Sequence, residues 1–355
     1  MIEVSHLTKK YGDHAAVQDI SFSIEKGEIL GFLGPNGAGK STTMNILTGY
    51  LSPTEGTVSI NGFDVLDKPL EAKKHIGYLP EIPPLYTDMT VREYLGFVYA
   101  LKKCTLPKAP HLKEICELVK IDDVAGRLIR NLSKGYRQRV GIAQALVGNP
   151  EVLILDEPTV GLDPKQIIEI RNLIKRLGQS HTIILSSHIL SEIQAVCKRV
   201  IVINRGMLVA DGTPDSLAKS LTGDRRLTVR VAGNESEIQR VLRGASNVEK
   251  VTALGSKEPG SFDFIVEGRT GADIRKSVFE QLAERRMTLL GMKGAEMSLE
   301  EIFLQLTDGS KEITPIIDRA PVKRVRKSEL NTDTVQDADA KEEGAQDVPD
   351  KEESK

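Results

Sequence analysis

The chain has 355 residues, enough for two domains with separate cores, and its 40% hydrophobic and 28% charged content is ordinary for a soluble globular protein. A net charge of −2 gives no sign of general nucleic-acid binding, so no nucleic-acid partner is expected. The three cysteines, Cys104, Cys116 and Cys197, form no C-x-x-C pair, which argues against zinc and against a disulfide framework and suits a reducing compartment.

The opening stretch MIEVSHLTKKYG lacks the apolar core of a signal peptide. No apolar run approaches the ~20 residues of a spanning helix, so the chain is expected not to cross a membrane by itself. Segments near Val4 and Phe22, and the run Val58–Gly62, read as strands of a small antiparallel part. EILGFLG, Glu28–Gly34, reads as a buried strand followed by a glycine loop, and STTMNILTG as the next helix. Between about 89 and 149 the strand signals vanish and helical periodicity takes over, which predicts a helical insertion. Three apolar strands follow: Val152–Asp156, Thr182–Ser187 and Arg199–Asn204. Continuous apolar strands separated by helices predict a mostly parallel sheet covered on both faces, an α/β domain over 1–220.

A second unit is expected over 225–308. LTVRV, VEKVTAL, FDFIV and MTLLGM read as strands, SEIQRVLRG and ADIRKSVFEQLAERR as helices. The second helix should carry Ile274, Val278, Phe279 and Leu282 on one face. The order β-α-β-β-α-β is that of a ferredoxin-like α+β unit. A last helix, MSLEEIFLQLT, opens with a capping box from Ser298 to Glu301. Its stripe of Leu299, Ile302, Phe303 and Leu306 is expected to pack on its own domain, with an exposed docking surface as the alternative. The remainder, 309–355, is basic and then acidic without a hydrophobic pattern, and is expected to be a disordered charged tail.

One segment carries chemistry plainly. GPNGAGKS, Gly34 to Ser41, fits G-x-x-x-x-G-K-[ST] between a strand and a helix. Gly34, Gly37 and Gly39 let the backbone turn N–H groups toward a phosphate, and Pro35, Asn36 and Ala38 complete the loop. Lys40 supplies charge for the β- and γ-phosphates, Ser41 a hydroxyl for Mg²⁺, and Thr42 continues the helix whose positive end faces the anion. VLILDEPT ends a second strand with two acids. Ligands of such sheets sit at the carboxyl ends of strands, so Asp156 should share the crevice as the Mg²⁺ partner. Glu157, one residue on, is the expected general base or water-orienting residue, and His188, after a third strand, the expected γ-phosphate contact. In NLSKGYRQRV, Ser133 is a helix N-cap. Position 136 holds Tyr136 instead of the Glu or Gln of a capping box, which leaves first-turn N–H groups for an outside anion. Gly135 permits close approach, and Lys134 adds positive charge there.

In the order Tyr11, GPNGAGKS, NLSKGYRQRV, VLILDEPT, GLD and SSH, residues 1–220 resemble the ATP-binding subunit of an ABC (ATP-binding cassette) transporter. The resemblance implies a P-loop ATPase with ATP and Mg²⁺ as cofactors. It implies a head-to-tail dimer with a second copy, ATP lying between the P-loop of one and the Ser133–Gly135 signature loop of the other. It implies that Tyr11 stacks on adenine and that the loop of Asp163 crosses the dimer interface, although Asp163 before Pro164 is also a natural helix cap. Glu81 stands where the family usually has a glutamine that touches Mg²⁺ and relays to the membrane subunit. The second unit resembles the accessory domain of subunits serving ABC-2-type exporters. The expected function is therefore ATP hydrolysis that energises a separate integral membrane permease, for export, from the cytoplasmic face of the membrane. The alternative is a soluble ABC-type ATPase acting on a non-membrane partner. One cassette per chain and the lack of long coiled coils speak against it.

Overall fold

A computed structural model describes residues 2–222, 226–269, 272–295, 298–307 and 315–317. An antiparallel sheet orders its strands His14–Ile24, Ile2–Tyr11, Glu55–Ile60 and Phe63–Asp64. Val4 pairs with both Phe22 and Val58, and the alternation buries Ile2, Val4, Ile20, Phe22 and Ile24. This sheet packs through a shared core onto Leu30, Phe32, Ile154, Ile184 and Ile201 of the central sheet.

The central sheet has seven strands in the order Ile316–Ile317, Met207–Gly212, Arg199–Asn204, Ile29–Leu33, Thr182–Ser187, Val152–Asp156 and Ile76–Leu79. All neighbours are parallel except Arg199–Asn204 with Met207–Gly212. The buried strands are almost wholly apolar because helices and the second sheet cover both faces. Register places the site. Leu33 lies beside Ser187, Asp156 beside Ser186, and Leu79 beside Leu155. The loops after these four strands therefore leave from one edge. Residues 89–149 contribute the helices Val91–Leu101, Lys108–Val119 and Lys134–Leu146 and no named strand.

The second unit orders its antiparallel strands Val248–Gly255, Ser261–Gly268, Arg226–Ala232 and Leu289–Gly294. Helices Glu235–Arg243 and Arg275–Glu284 cover one face over a core of Leu227, Val229, Val231, Phe264, Ile238 and Leu282. Ile274, Val278 and Leu282 are buried, but Phe279, expected with them, is exposed. A four-residue spacing keeps those three on one stripe and turns the next residue about 100° away.

Two expectations about the carboxy-terminal part need correction. Helix Leu299–Thr307 does not pack within its own unit. Leu299, Ile302 and Leu306 enter the core of the first domain, with Val202, Val209, Leu217 and Ala218. An apolar stripe specifies that a helix is buried but not against what. Nor is everything beyond 308 patternless: Ile316–Ile317 adds a strand parallel to Ala210–Asp211. Two β-branched residues suit an open sheet edge. The rest of the expected tail lies outside the described residues. The boundary Ser298 to Glu301 does form its capping box, at 2.9 and 3.2 Å.

Candidate functional site

The loop after Ile29–Leu33 turns through Gly37 at φ 78° and Gly39 at φ 109°, and helix Lys40–Leu47 begins there. A side chain at Gly39 would be strained at that φ and would place its Cβ 2.5 Å from the Ala16 carbonyl; at Gly34 it would meet the Ile203 carbonyl at 2.4 Å. The loop is thus wedged between the amino-terminal hairpin and the central sheet. Lys40 is 6% exposed, and its Nζ donates to the carbonyls of Gly34 at 2.8 Å and Pro35 at 3.3 Å. Burial lowers its pKa, against the pull of Glu157, Asp156 and Glu81.

Asp156 ends its strand 3% exposed, and its Oδ1 is buried without a hydrogen-bond partner. Burial raises its pKa. Ser186, Ser41 and Lys40 oppose that rise and Glu81 adds to it. Such an orphaned carboxylate oxygen beside the Ser41 hydroxyl fits a Mg²⁺ ion, which keeps most of its waters and takes one or two protein oxygens plus phosphate. Among the described residues no group of three His, Cys, Asp or Glu could by itself hold a metal ion. Glu81 is exposed, yet close enough to be felt by both Asp156 and Lys40.

Glu157 follows at φ 50°, an unusual conformation for a side-chain-bearing residue, held by its N–H donating to the Ser186 carbonyl at 3.0 Å. The turn aims a 6%-exposed carboxylate at His188 Nδ1, 2.9 Å from both oxygens, and brings it 4.0 Å from Lys40 Nζ. Burial raises its pKa, and the His188 and Lys40 contacts lower it. The structure therefore gathers Lys40, Asp156, Glu157 and His188 as expected from sequence. It also shows a buried clamp that sequence reasoning missed. Glu192 accepts from Thr159 and Ser187, and Ser187 Oγ accepts from the Ile189 N–H at 3.0 Å. These bonds tie the loop after Glu157 to the loop of His188. An acid one turn beyond His188 was the available signal.

The Ser133 group is separate. Ser133 caps helix Lys134–Leu146, its Oγ accepting from the Tyr136 N–H at 3.4 Å. Of the first-turn N–H groups expected to stay free, that one is taken. Gly135 is buried against Gln166, whose side chain would lie 2.6–2.7 Å from an added Cβ. Lys134 reaches over Gly161, and Tyr136 donates to Asp123 at 2.9 Å. Asp163 caps helix Pro164–Leu177, accepting from the Gln166 N–H at 2.9 Å. The signature loop and the Asp163 loop thus pack on each other. Among the described residues no hydrogen bond or ion pair joins either to Lys40. Tyr11 ends its strand 49% exposed, with Lys9 Nζ 5.3 Å from its ring centroid.

Comparison with known proteins places these features. Residues 17–160 match the ABC transporter family model. The linearmycin resistance ATP-binding protein LnrL of Bacillus subtilis (strain 168) is 32% identical over 311 residues, 86% of this chain and 98% of LnrL. That span is too long for the first domain alone, so the likeness reaches into the second unit. Nod factor export ATP-binding protein I of Burkholderia lata is 36% identical over 225 residues, 62% of this chain and 74% of that protein. The dimeric, post-hydrolysis ATP-binding cassette MJ0796 with ADP and Pi aligns at TM-score 0.55 and 26% identity, covering 60% of this chain and 98% of that one. The strand order, the glycine loop with its buried lysine, and the two acids at the end of the next strand but one are those of a P-loop α/β fold. The chain belongs to the ATP-binding ATPase subunits of ABC transporters.

Proposed function

We propose that this chain hydrolyses ATP to energise a separate membrane permease in export. The observation that carries the reading is the Glu157 carboxylate, buried and set between Lys40 and His188 at the edge where the P-loop opens. His188 fixes the orientation of that carboxylate. Glu157 then orients an attacking water and accepts its proton, which is favoured because burial already raises its pKa. Lys40 exchanges its loop carbonyls for phosphate oxygens. Ser41 and Asp156 would hold Mg²⁺, with Glu81 adding negative charge beside them. A Mg²⁺ held there would supply positive charge to the β- and γ-phosphates.

The helix end at Ser133 and Gly135 serves the γ-phosphate of a second copy, head to tail, and the Asp163 loop lies at that interface. The dimeric state of MJ0796 supports this. No described helix is long and apolar enough to cross a membrane. The translocation path is assigned to another chain, with this one peripheral on the cytoplasmic face, and membership of the ABC transporter ATP-binding subunits supports this assignment. The name of the Nod factor export protein supports an exporter. The test is Glu157→Gln. Turnover should fall ~100-fold or more while ATP still binds and a dimer accumulates. Turnover at the unaltered rate would remove Glu157 from this role.

A further inference from the structure

The strand pair Arg199–Asn204 and Met207–Gly212 is joined by a two-residue turn with Arg205 at φ 49° and Gly206 at φ 80°. Positive φ at both positions is the tight hairpin turn that matches strand twist. This turn grips the P-loop. The Gly206 N–H donates to the Ala38 carbonyl at 2.9 Å. Its other side is fastened to the amino-terminal hairpin: the Gln18 N–H donates to the Gly206 carbonyl at 2.8 Å, and Gln18 Nε2 to the Arg205 carbonyl at 3.0 Å. The same hairpin supplies the Ala16 carbonyl against which Gly39 is wedged.

The residue before the turn, Asn204, is buried, and its Nδ2 donates to the Leu306 carbonyl at 3.2 Å. Leu306 lies in the last turn of helix Leu299–Thr307, where carbonyls have no partner within the helix. Asn204 supplies one. That helix is the chain's return from the second unit. Its first turn is tied to the sheet of the second unit by Arg226, whose guanidinium donates to both oxygens of Glu301, and its apolar stripe is sunk in the first domain. Ile316–Ile317 then pairs with Ala210–Asp211, on the far strand of the same hairpin. A continuous path of packed and hydrogen-bonded groups thus runs from the sheet of the second unit through Glu301, Leu306, Asn204 and Gly206 to Ala38.

We propose that the second unit regulates nucleotide affinity through this path: docking of helix Leu299–Thr307 on Asn204 holds the Arg205–Gly206 turn against the P-loop. The inference rests on the ATP-binding reading of that loop. Linkage makes the effect mutual. A helix that supports the P-loop is itself held more firmly when nucleotide fills the loop. Whatever pulls the second unit away from the first domain then weakens nucleotide binding without touching a catalytic group.

Asn204→Ala removes the donor. Asn204→Asp keeps the shape and sets an acceptor against the Leu306 carbonyl. In the full chain, both should bind ADP with Mg²⁺ at least ~fivefold more weakly, with kcat at saturating ATP within about twofold of the unaltered protein. ADP should slow amide exchange over 299–307 in the unaltered chain and not in the variants. Unchanged ADP affinity in both variants, with only a lower melting temperature, would overturn the proposal. So would exchange over 299–307 that ignores ADP in the unaltered chain, and that measurement decides alone if the variants do not fold. Failure of the unaltered chain to bind ADP at all would overturn the P-loop reading as well.

Discussion

The nucleotide site and the second unit both bury charged groups, and the partners those groups find set the two apart. At the site, Lys40 is pushed down and Asp156 and Glu157 are pushed up, each chiefly by burial. Each of these groups is disfavoured in its charged form. In the second unit the signs reverse. Glu301 is held down to about 2 chiefly by hydrogen bonds from Arg226, and Asp263 is lowered by Arg230. Those charges are satisfied by fixed partners. The first pattern is that of a site completed by a ligand, the second that of a structural fastening.

The largest effect that separates the two should come from Lys40→Ala. Removing the ammonium should weaken ATP binding by at least about tenfold, since a hydrogen bond to a charged group is worth ~1.5–3 kcal/mol. Equilibrium titration checks it, and unchanged affinity would take Lys40 out of the site. Asp156→Asn should divide stability from function. Without nucleotide the variant should be more stable by about 1 kcal/mol, because a buried carboxylate with an unpartnered oxygen is replaced by a neutral group. Mg²⁺-dependent turnover should be lost with it. A drop in melting temperature would show Asp156 to be a structural anchor, and the contrast between the two regions would fail. Ser133→Ala should remove one cap, about 1 kcal/mol of stability, and also reduce ATP-driven dimerisation. Dimerisation unchanged at lower stability would leave Ser133 as a cap and nothing more.

Acid gives the smallest effect, with opposite signs in the two regions. Because the folded pKa of Glu301 is depressed, its contribution is present above the ordinary glutamate value of 4.5. It is lost as pH falls from there toward about 2. Asp156 and Glu157 run the other way. Their raised values disfavour folding while they are ionised, and that penalty is relieved as they protonate. Amide exchange across this range should therefore loosen helix Leu299–Thr307 before the strand Val152–Asp156. The reverse order would contradict the assignment of roles.

Legibility in the sequence followed the range of each interaction. The glycine loop, the acids after VLIL and the Ser133 cap are local: a few adjacent residues specify conformation and chemistry together. The parallel sheet was readable because buried strands are continuous apolar runs. The edge strands Ile76–Leu79 and Ile316–Ile317 are short, and pairing across a sheet rather than local pattern decides them. The destination of helix Leu299–Thr307 was hidden for the same reason. The Glu192 clamp and the Asn204–Leu306 bond join residues distant in sequence or unremarkable by type, and only the fold brings them together.

The central claim is that the buried charges around Lys40 and Asp156 form a site completed by nucleotide and metal together. The direct measurement is the melting temperature of the unaltered chain with ATP alone, Mg²⁺ alone and both. A ligand at 100 times its dissociation constant stabilises by about 2.7 kcal/mol. ATP with Mg²⁺ should therefore raise the melting temperature by several degrees, well beyond the sum of the separate shifts. Equal stabilisation with and without Mg²⁺, or none with both, would contradict it.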